Sequence, residues 1–309
     1  MKIIKIVNAL FALALLVILV LLISCNTEGI KPSPGNYIIQ GSQDLEPSFS
    51  PDGNFIAYRH DGDLNNTPTS PGSYQSGLYI INKDGSNRKL ALLGTRLNPA
   101  WSPEGKWLVF STSGIIQKCG TNGDSLKTFT CLNNLSYPEF YYPKWSSDGK
   151  LILFDKPLGS DWGFYTTATN FLGSGRFLGL EILGRNPELS PSRNHLIYEA
   201  GKGGGTNVSV SEIFLLNING ITKIQLTING RDNRAPTWSP DGTMIAWSGN
   251  LHLSMMNADG TAQKDIEYGN SPSWSANNEI VYSHANSDYT KEVLYTISPD
   301  GKNKKQITF

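Results

Sequence analysis

Pro236-Thr-Trp-Ser-Pro-Asp-Gly242 is followed within three residues by an apolar stretch, Ile245-Ala246-Trp247. Ser-Pro-Asp-Gly specifies a tight turn, because Pro presets φ at its second position and Gly supplies a positive φ. The flanks are strand-like: a short one carrying Pro-x-Trp before the turn, an apolar one after it. The same phrase recurs in both directions along the chain. Complete copies begin at Pro47 (Pro-Ser-Phe-Ser-Pro-Asp-Gly), Pro99 (Pro-Ala-Trp-Ser-Pro-Glu-Gly) and Pro143 (Pro-Lys-Trp-Ser-Ser-Asp-Gly). Degenerate copies begin at Pro187 (Pro-Glu-Leu-Ser-Pro-Ser-Arg) and Pro272 (Pro-Ser-Trp-Ser-Ala-Asn-Asn). Successive starts lie 36 to 52 residues apart and average 45, the period of a four-stranded propeller blade.

Each copy supplies the parts of such a blade. The second strand is Ile56-Ala57-Tyr58, Leu108-Val109-Phe110, Ile152-Leu153-Phe154, Leu196-Ile197-Tyr198, Ile245-Ala246-Trp247 or Ile280-Val281-Tyr282. A second turn follows the third strand, at Asn82-Lys-Asp-Gly85, Thr121-Asn-Gly123, Asn217-Ile-Asn-Gly220, Asn257-Ala-Asp-Gly260 and Ser298-Pro-Asp-Gly301. Asn-Gly and Asp-Gly are strong hairpin-tip signals. The expected architecture is all-β, a six-bladed propeller of four-stranded antiparallel blades over residues 37–309. The last strand ends at Phe309, so loss of the C-terminus is expected to open the ring. Tyr37-Ile38-Ile39-Gln40 is a candidate closure strand for the final blade.

The Pro-x-Trp-Ser-Pro-Asp-Gly-x-x-Ile-Ala-Phe pattern resembles the repeat of TolB-like propellers, relatives in architecture of the WD type. The resemblance covers nearly everything after residue 37 and implies a cell-envelope location. About twenty residues separate Cys25 from the first repeat, so the α/β domain that precedes the TolB propeller is not expected here. The resemblance fixes fold far better than function.

The chain of 309 residues carries 26 Lys+Arg and 26 Asp+Glu, giving a net charge of zero. Nucleic-acid binding needs a basic excess and is disfavoured. Lys2 and Lys5 precede an apolar run, Ile6 to Ile23, broken only by Asn8. A basic start followed by such a run is the pattern of an export signal. It ends in Leu22-Ile23-Ser24-Cys25, which resembles the bacterial lipobox. Residues 1–24 are therefore expected to be a lipoprotein signal peptide, with Cys25 lipidated. An uncleaved membrane anchor is the alternative, since 18 residues barely span a hydrocarbon core. Residues 25–36, polar and broken by Gly and Pro, are expected to form a flexible tether.

No convergent catalytic set is visible, and neither a cofactor nor a metal is expected. Asp52, Glu104, Asp148 and Asp241 recur because the turns need them to cap backbone N–H groups. Trp101, Trp145, Trp238 and Trp274 recur for packing between blades, not as a sugar platform. His60-Asp-Gly-Asp-Leu-Asn65 begins like a calcium loop, but Asn66 replaces the needed Gly and Gly72 the closing Glu. His60 and His284 fall at equivalent loop positions of the first and last blades, where a shared metal would lack a third ligand. No Gly-x-Ser-x-Gly elbow is present, and Gly201-Lys-Gly-Gly-Gly205 lacks the Lys-Ser/Thr of a phosphate loop. A resemblance to oligogalacturonate lyases, propellers with similar repeats, leaves a polysaccharide lyase or hydrolase as the alternative function.

Two further expectations concern surfaces. Cys119 and Cys131 lie symmetrically about Ser125, so antiparallel pairing about that centre would allow a disulfide in an oxidising compartment. Strand direction puts the first and third turns of every blade on one face and the long loops on the other. Those loops, 59–77, 132–142, 155–163, 199–211 and 283–291, hold Tyr74, Tyr137, Phe140, Tyr141, Tyr142, Trp162 and Tyr289. Such residues anchor interfaces well. The expected function is a monomeric, non-catalytic binding scaffold, tethered to a membrane, whose partner is an envelope protein or cell-wall polymer.

Overall fold

The computed structural model describes residues 41–62, 75–129, 139–158, 161–171, 176–177, 183–201, 210–219 and 222–309. Its strands fall into six consecutive groups of four. Repeat 1 gives β1 (Gln43–Phe49), β2 (Phe55–Asp61), β3 (Gly77–Asn82) and β4 (Lys89–Leu93). Repeat 2 gives β5 (Leu97–Trp101), β6 (Trp107–Thr112), β7 (Ile115–Gly120) and β8 (Lys127–Thr128). Repeat 3 gives β9 (Tyr141–Trp145), β10 (Leu151–Leu158), β11 (Asp161–Ala168) and β12 (Arg176–Phe177). Repeat 4 gives β13 (Arg185–Leu189), β14 (His195–Gly201), β15 (Ser211–Asn217) and β16 (Thr222–Gln225). Repeat 5 gives β17 (Asn233–Trp238), β18 (Met244–Gly249), β19 (His252–Asn257) and β20 (Lys264–Tyr268). Repeat 6 gives β21 (Asn270–Trp274), β22 (Ile280–Ala285), β23 (Glu292–Ile297) and β24 (Lys305–Gln306).

The expectation of six separate sheets needs one correction. Repeats 2 to 5 form four independent four-stranded blades, whereas repeats 1 and 6 merge into one eight-stranded sheet. The merger is a single parallel bridge, Gln43 to Glu292. It arises where the ring closes. The inner strands β1, β5, β9, β13, β17 and β21 each touch the next, and β21 touches β1. The closure-strand candidate at residues 37–40, the tether and the signal segment lie outside the described residues.

Why these stretches make blades is visible in the second strands. Residues one and three of each triplet pack against the preceding blade, residue two against the following one. Thus Ile56 and Tyr58 join Val281, Leu294 and Ile307 of repeat 6, while Ala57 joins Leu108 and Phe110 of repeat 2. Ile152 and Phe154 face repeat 2, and Leu153 faces repeat 4. A strand buried on both faces must be apolar at every position, which explains the continuous runs. The repeat tryptophans serve the same junctions: Trp101, Trp145 and Trp238 donate their indole N–H to Ser48, Ala100 and Glu188 carbonyls of the blade before.

Three of the four turn acids do what their position suggests; Glu104 forms no side-chain hydrogen bond among the described residues. Asp241 Oδ1 accepts from the Ser239 hydroxyl at 2.6 Å and from the Thr243 N–H at 3.0 Å. Asp52 and Asp148 repeat the pattern, and these hydrogen bonds hold all three carboxyls below their ordinary range.

Of the expected disulfide, only the Cys119 half lies among the described residues. The turn after β7 closes tightly, Gly120 N–H donating to Asp124 O, and Lys118 then faces Lys127. Cys119 is a buried free thiol, its pKa pushed up to about 12 chiefly by burial. Cys131 lies outside the described residues.

Candidate functional site

Every inner strand is bulged at the residue before its proline. Glu46, Asn98, Tyr142, Asn186, Ala235 and Ser271 all adopt left-handed φ values, between 49° and 53°. Ladder register shifts mark the same place in all six repeats: three steps along the inner strand, as from Leu45 to Ser48 or from Tyr141 to Lys144, run opposite two along the second strand. A left-handed L-residue costs roughly 1–2 kcal/mol, so six of them need compensation from their surroundings. The bulge residues line the central channel, together with Lys144, Glu199 and Arg234, around a cavity of about 160 Å³.

A bulge leaves the backbone N–H without a ladder partner, and the preceding blade supplies one. Asn186 N–H donates to Asp155 Oδ2 at 2.9 Å, Ala235 N–H to Glu199 Oε2 at 2.7 Å, and Ser271 N–H to Ser248 Oγ at 2.9 Å. Asp155, Glu199 and Ser248 all follow the aromatic residue of the second strand. In repeat 1 that place belongs to Arg59, which has no acceptor. There Glu46 itself accepts from Asn98 N–H at 2.6 Å and pairs with Arg59 at 3.0 Å. Side chains of the channel wall thus tie blade 1 to 2, 3 to 4, 4 to 5 and 5 to 6.

These carboxyls are electrostatically unusual. Burial pushes the Asp155 carboxyl well above its ordinary range, against the opposing influence of the Asn186 N–H and Arg185. Glu199 and Glu46 are raised for the same reason. Asp155 Oδ1 is buried and has no hydrogen-bond partner. The Tyr142 hydroxyl is also raised, by burial first and then by Glu199.

One residue of the channel lining, Tyr142, belongs to the set expected to bind a partner. Tyr141 and Trp162 meet edge to face with ring centroids 5.5 Å apart. The Arg185 guanidinium lies 4.3 Å from the Trp162 ring centre and 5.2 Å from that of Tyr142. All three aromatic residues are half-buried. They are strand residues, not loop residues as expected: β9 already begins at Tyr141, and Trp162 lies in a β10–β11 hairpin that runs to Leu158 and Asp161. Phe140 is a correction: it is 2% exposed and packs on Phe129 and Phe154 between repeats 2 and 3. Tyr289 sits on a turn of repeat 6, its N–H donating to Asn286 O. Tyr74 and Tyr137 lie outside the described residues.

The histidines are corrected too. His60 and His284 belong to β2 and β22, not to loops. His60 Nδ1 lies 2.6 Å from Asp44 Oδ1 and 2.7 Å from an Arg88 nitrogen, whereas His284 stacks near Tyr268. Among the described residues no group of three side chains is arranged to hold a metal.

No protein-family model matches the chain, and no curated protein does. Solved structures do. TolB from Acinetobacter baumannii is 19% identical with a TM-score of 0.65, covering 82% of this chain and 63% of its own. A protein assigned as TolB from Agrobacterium tumefaciens is 18% identical with a TM-score of 0.61, covering 72% and 84%. The oligogalacturonate lyase of Vibrio parahaemolyticus is 12% identical with a TM-score of 0.52, covering 89% and 80%. The chain has a TolB-like β-propeller fold. At such identities the likeness is one of fold, and the lyase is a distant fold relative.

Proposed function

We propose that the protein is an exported, lipid-anchored propeller that binds a protein partner over the channel mouth and catalyses no reaction. The observation that carries this reading is the Tyr141–Trp162–Arg185–Tyr142 stack. Large aromatic rings and an arginine, half-buried and mutually braced, are the side chains that most often dominate interfaces. Bracing lowers the entropy they lose on binding. The bulged strands keep the stack fixed relative to the channel. A polysaccharide lyase or hydrolase is the competing reading, and it has only distant fold likeness behind it.

Two results test the proposal. Tyr141→Ala and Trp162→Ala should each weaken retention of the native partner from solubilised membranes at least tenfold, with little change in melting temperature. Unchanged retention in both would place the interface elsewhere. Cys25→Ala should leave an unprocessed precursor or move the protein into the soluble fraction, since acyl chains on Cys25 supply about 0.8 kcal/mol per buried CH₂. Palmitate labelling that persists in the variant would sink the anchor assignment.

A further inference from the structure

We propose that the cleft between blades 1 and 2, on the face opposite the channel mouth just described, is a binding site for a neutral oligosaccharide. The cleft has a volume of about 720 Å³ and is lined by Phe55, Ile80 and Trp101 below and by Asn87, Lys89 and Glu104 at its rim. That volume lies within the roughly 300–1,000 Å³ range of small-molecule sites.

Its floor is an aromatic ring held in water. Phe55 is 40% exposed, whereas Ile56 and Ala57 beside it are fully buried. The Phe55 ring lies against Trp101 at a centroid distance of 6.4 Å and an interplanar angle of 30°. Trp101 is itself fixed by its indole bond to Ser48 O. At the position of Phe55, just after the first turn, other repeats carry Leu151, His195 and Met244, and Trp107 lies beneath Lys118 at 4.8 Å. The exposed aromatic pair therefore does not follow from the repeat. It belongs to this junction.

The walls are built by close approaches. Pro51 lies 3.7 Å from where a Cβ on Gly105 would sit, at a φ of 71°. On the outer side Gly123 presses against the Ala91 carbonyl, and any Cβ there would collide with it. The rim offers both donors and acceptors. Asn87, Lys89, Glu104 and Thr121 form no side-chain hydrogen bond with the protein among the described residues, whereas Asp52 is engaged by Ser50 and Asn54.

These features select a chemistry. A pyranose presents an apolar C–H face to a flat aromatic surface and hydroxyls, each donor and acceptor at once, to its edges. The rim supplies the complementary mixture. Two carboxylates, Asp52 and Glu104, outnumber the one ammonium, Lys89, so phosphorylated and uronic ligands meet net repulsion. A basic peptide would tolerate the charge but would not need the flat floor.

The test is calorimetric titration of the purified chain with chitotriose, cellotriose, maltotriose and mannotriose. At least one should bind at a single saturable site and quench tryptophan fluorescence. Phe55→Ala should weaken it at least tenfold without lowering the melting temperature, and Asn87→Ala, a second exposed change, should weaken it as well. Trp162→Ala should leave it unchanged, which separates this site from the channel-mouth interface. No saturation with any of the four, binding indifferent to Phe55→Ala, or stronger binding of trigalacturonate or of a Lys-rich peptide would overturn the assignment.

Discussion

Ile307→Asp should unfold the propeller cooperatively and not merely fray its end. Ile307 is fully buried, two residues from the C-terminus, and packs with Val281 and Leu294 of its own blade against Phe49, Ile56, Tyr58, Tyr79 and Ile81 of repeat 1. Its N–H donates to Leu294 O at 2.8 Å, and the Thr308 hydroxyl accepts from Leu294 N–H at 2.9 Å. Gly85 of repeat 1 approaches the Ile307 carbonyl so closely that a Cβ would sit 2.7 Å from it. Among the described residues, this cluster joins repeat 6 to repeat 1 together with the Gln43–Glu292 bridge, the contacts of β1 with β21 and β22, and a few polar contacts. Truncating a buried Ile to Ala costs about 2–5 kcal/mol, and a carboxylate in the same place costs more. At this chain length about 4 kcal/mol lowers the melting temperature by roughly 10 °C. Thermal unfolding followed by circular dichroism checks the result, with Phe309→Ala, 78% exposed, as the control that should melt like the parent. An Ile307→Asp protein with the parental melting temperature would show that closure rests elsewhere.

The junction just described was legible in the sequence because its causes repeat. Burial on both faces forces a continuous apolar triplet, and a left-handed φ favours Gly in the first turn, as at Gly242 (71°), with Arg193 and Asn278 taking the same conformation in repeats 4 and 6. The channel wall was not legible, because its common element is a left-handed backbone conformation adopted against residue preference, by Glu46, Tyr142, Ala235 and Ser271 as well as by the asparagines. Glu46, Asn98, Tyr142, Asn186, Ala235 and Ser271 share a left-handed φ and a following proline, yet no two belong to the same type except the asparagines. The position that supplies the cap varies as freely: Asp155, Glu199 and Ser248 accept the bulge N–H, whereas Arg59, Ser111 and Ser283 stand at the same place in the other repeats. The proline was in plain view as part of the repeat, and its meaning as the end of a bulge was the available signal. Tyr141 and Trp162 were singled out on weaker ground, aromatic content between predicted strands; the structure brings their rings together, on a β9 and a β10–β11 hairpin that reach further than the apolar triplet suggests. Phe140 failed by the same reasoning, since its ring fills a gap between blades 2 and 3 that composition does not reveal.

Asp155→Asn should alter the pH dependence of stability with a definite sign. The Asp155 carboxyl is fully buried, and burial raises its pKa well above the ordinary value of 3.8. A raised carboxyl pKa means that the folded chain holds a proton the unfolded chain has released. Stability is therefore greatest below the unfolded pKa and falls as pH climbs toward the folded one, by about 1.4 kcal/mol per pH unit for one group. Asparagine keeps an acceptor for the Asn186 N–H, bonded at 2.9 Å in the parent, but cannot ionise. Its amide nitrogen lands where Asp155 Oδ1 has no partner, a cost of about 1–3 kcal/mol that does not vary with pH. Every other carboxyl titrates in both proteins, so the difference between their unfolding free energies isolates Asp155. That difference should move in favour of the Asn variant as pH rises from 4 to 8. Asp155→Ala should be less stable than Asp155→Asn throughout, because it strands the Asn186 N–H. Glu199, buried and raised beside it, accepts from Ala235 N–H in the same manner, so Glu199→Gln should repeat the trend. Urea unfolding at successive pH values measures all four proteins. Parallel curves for the parent and Asp155→Asn would mean that the carboxyl ionises without penalty, and that the channel wall is wetter than its packing implies.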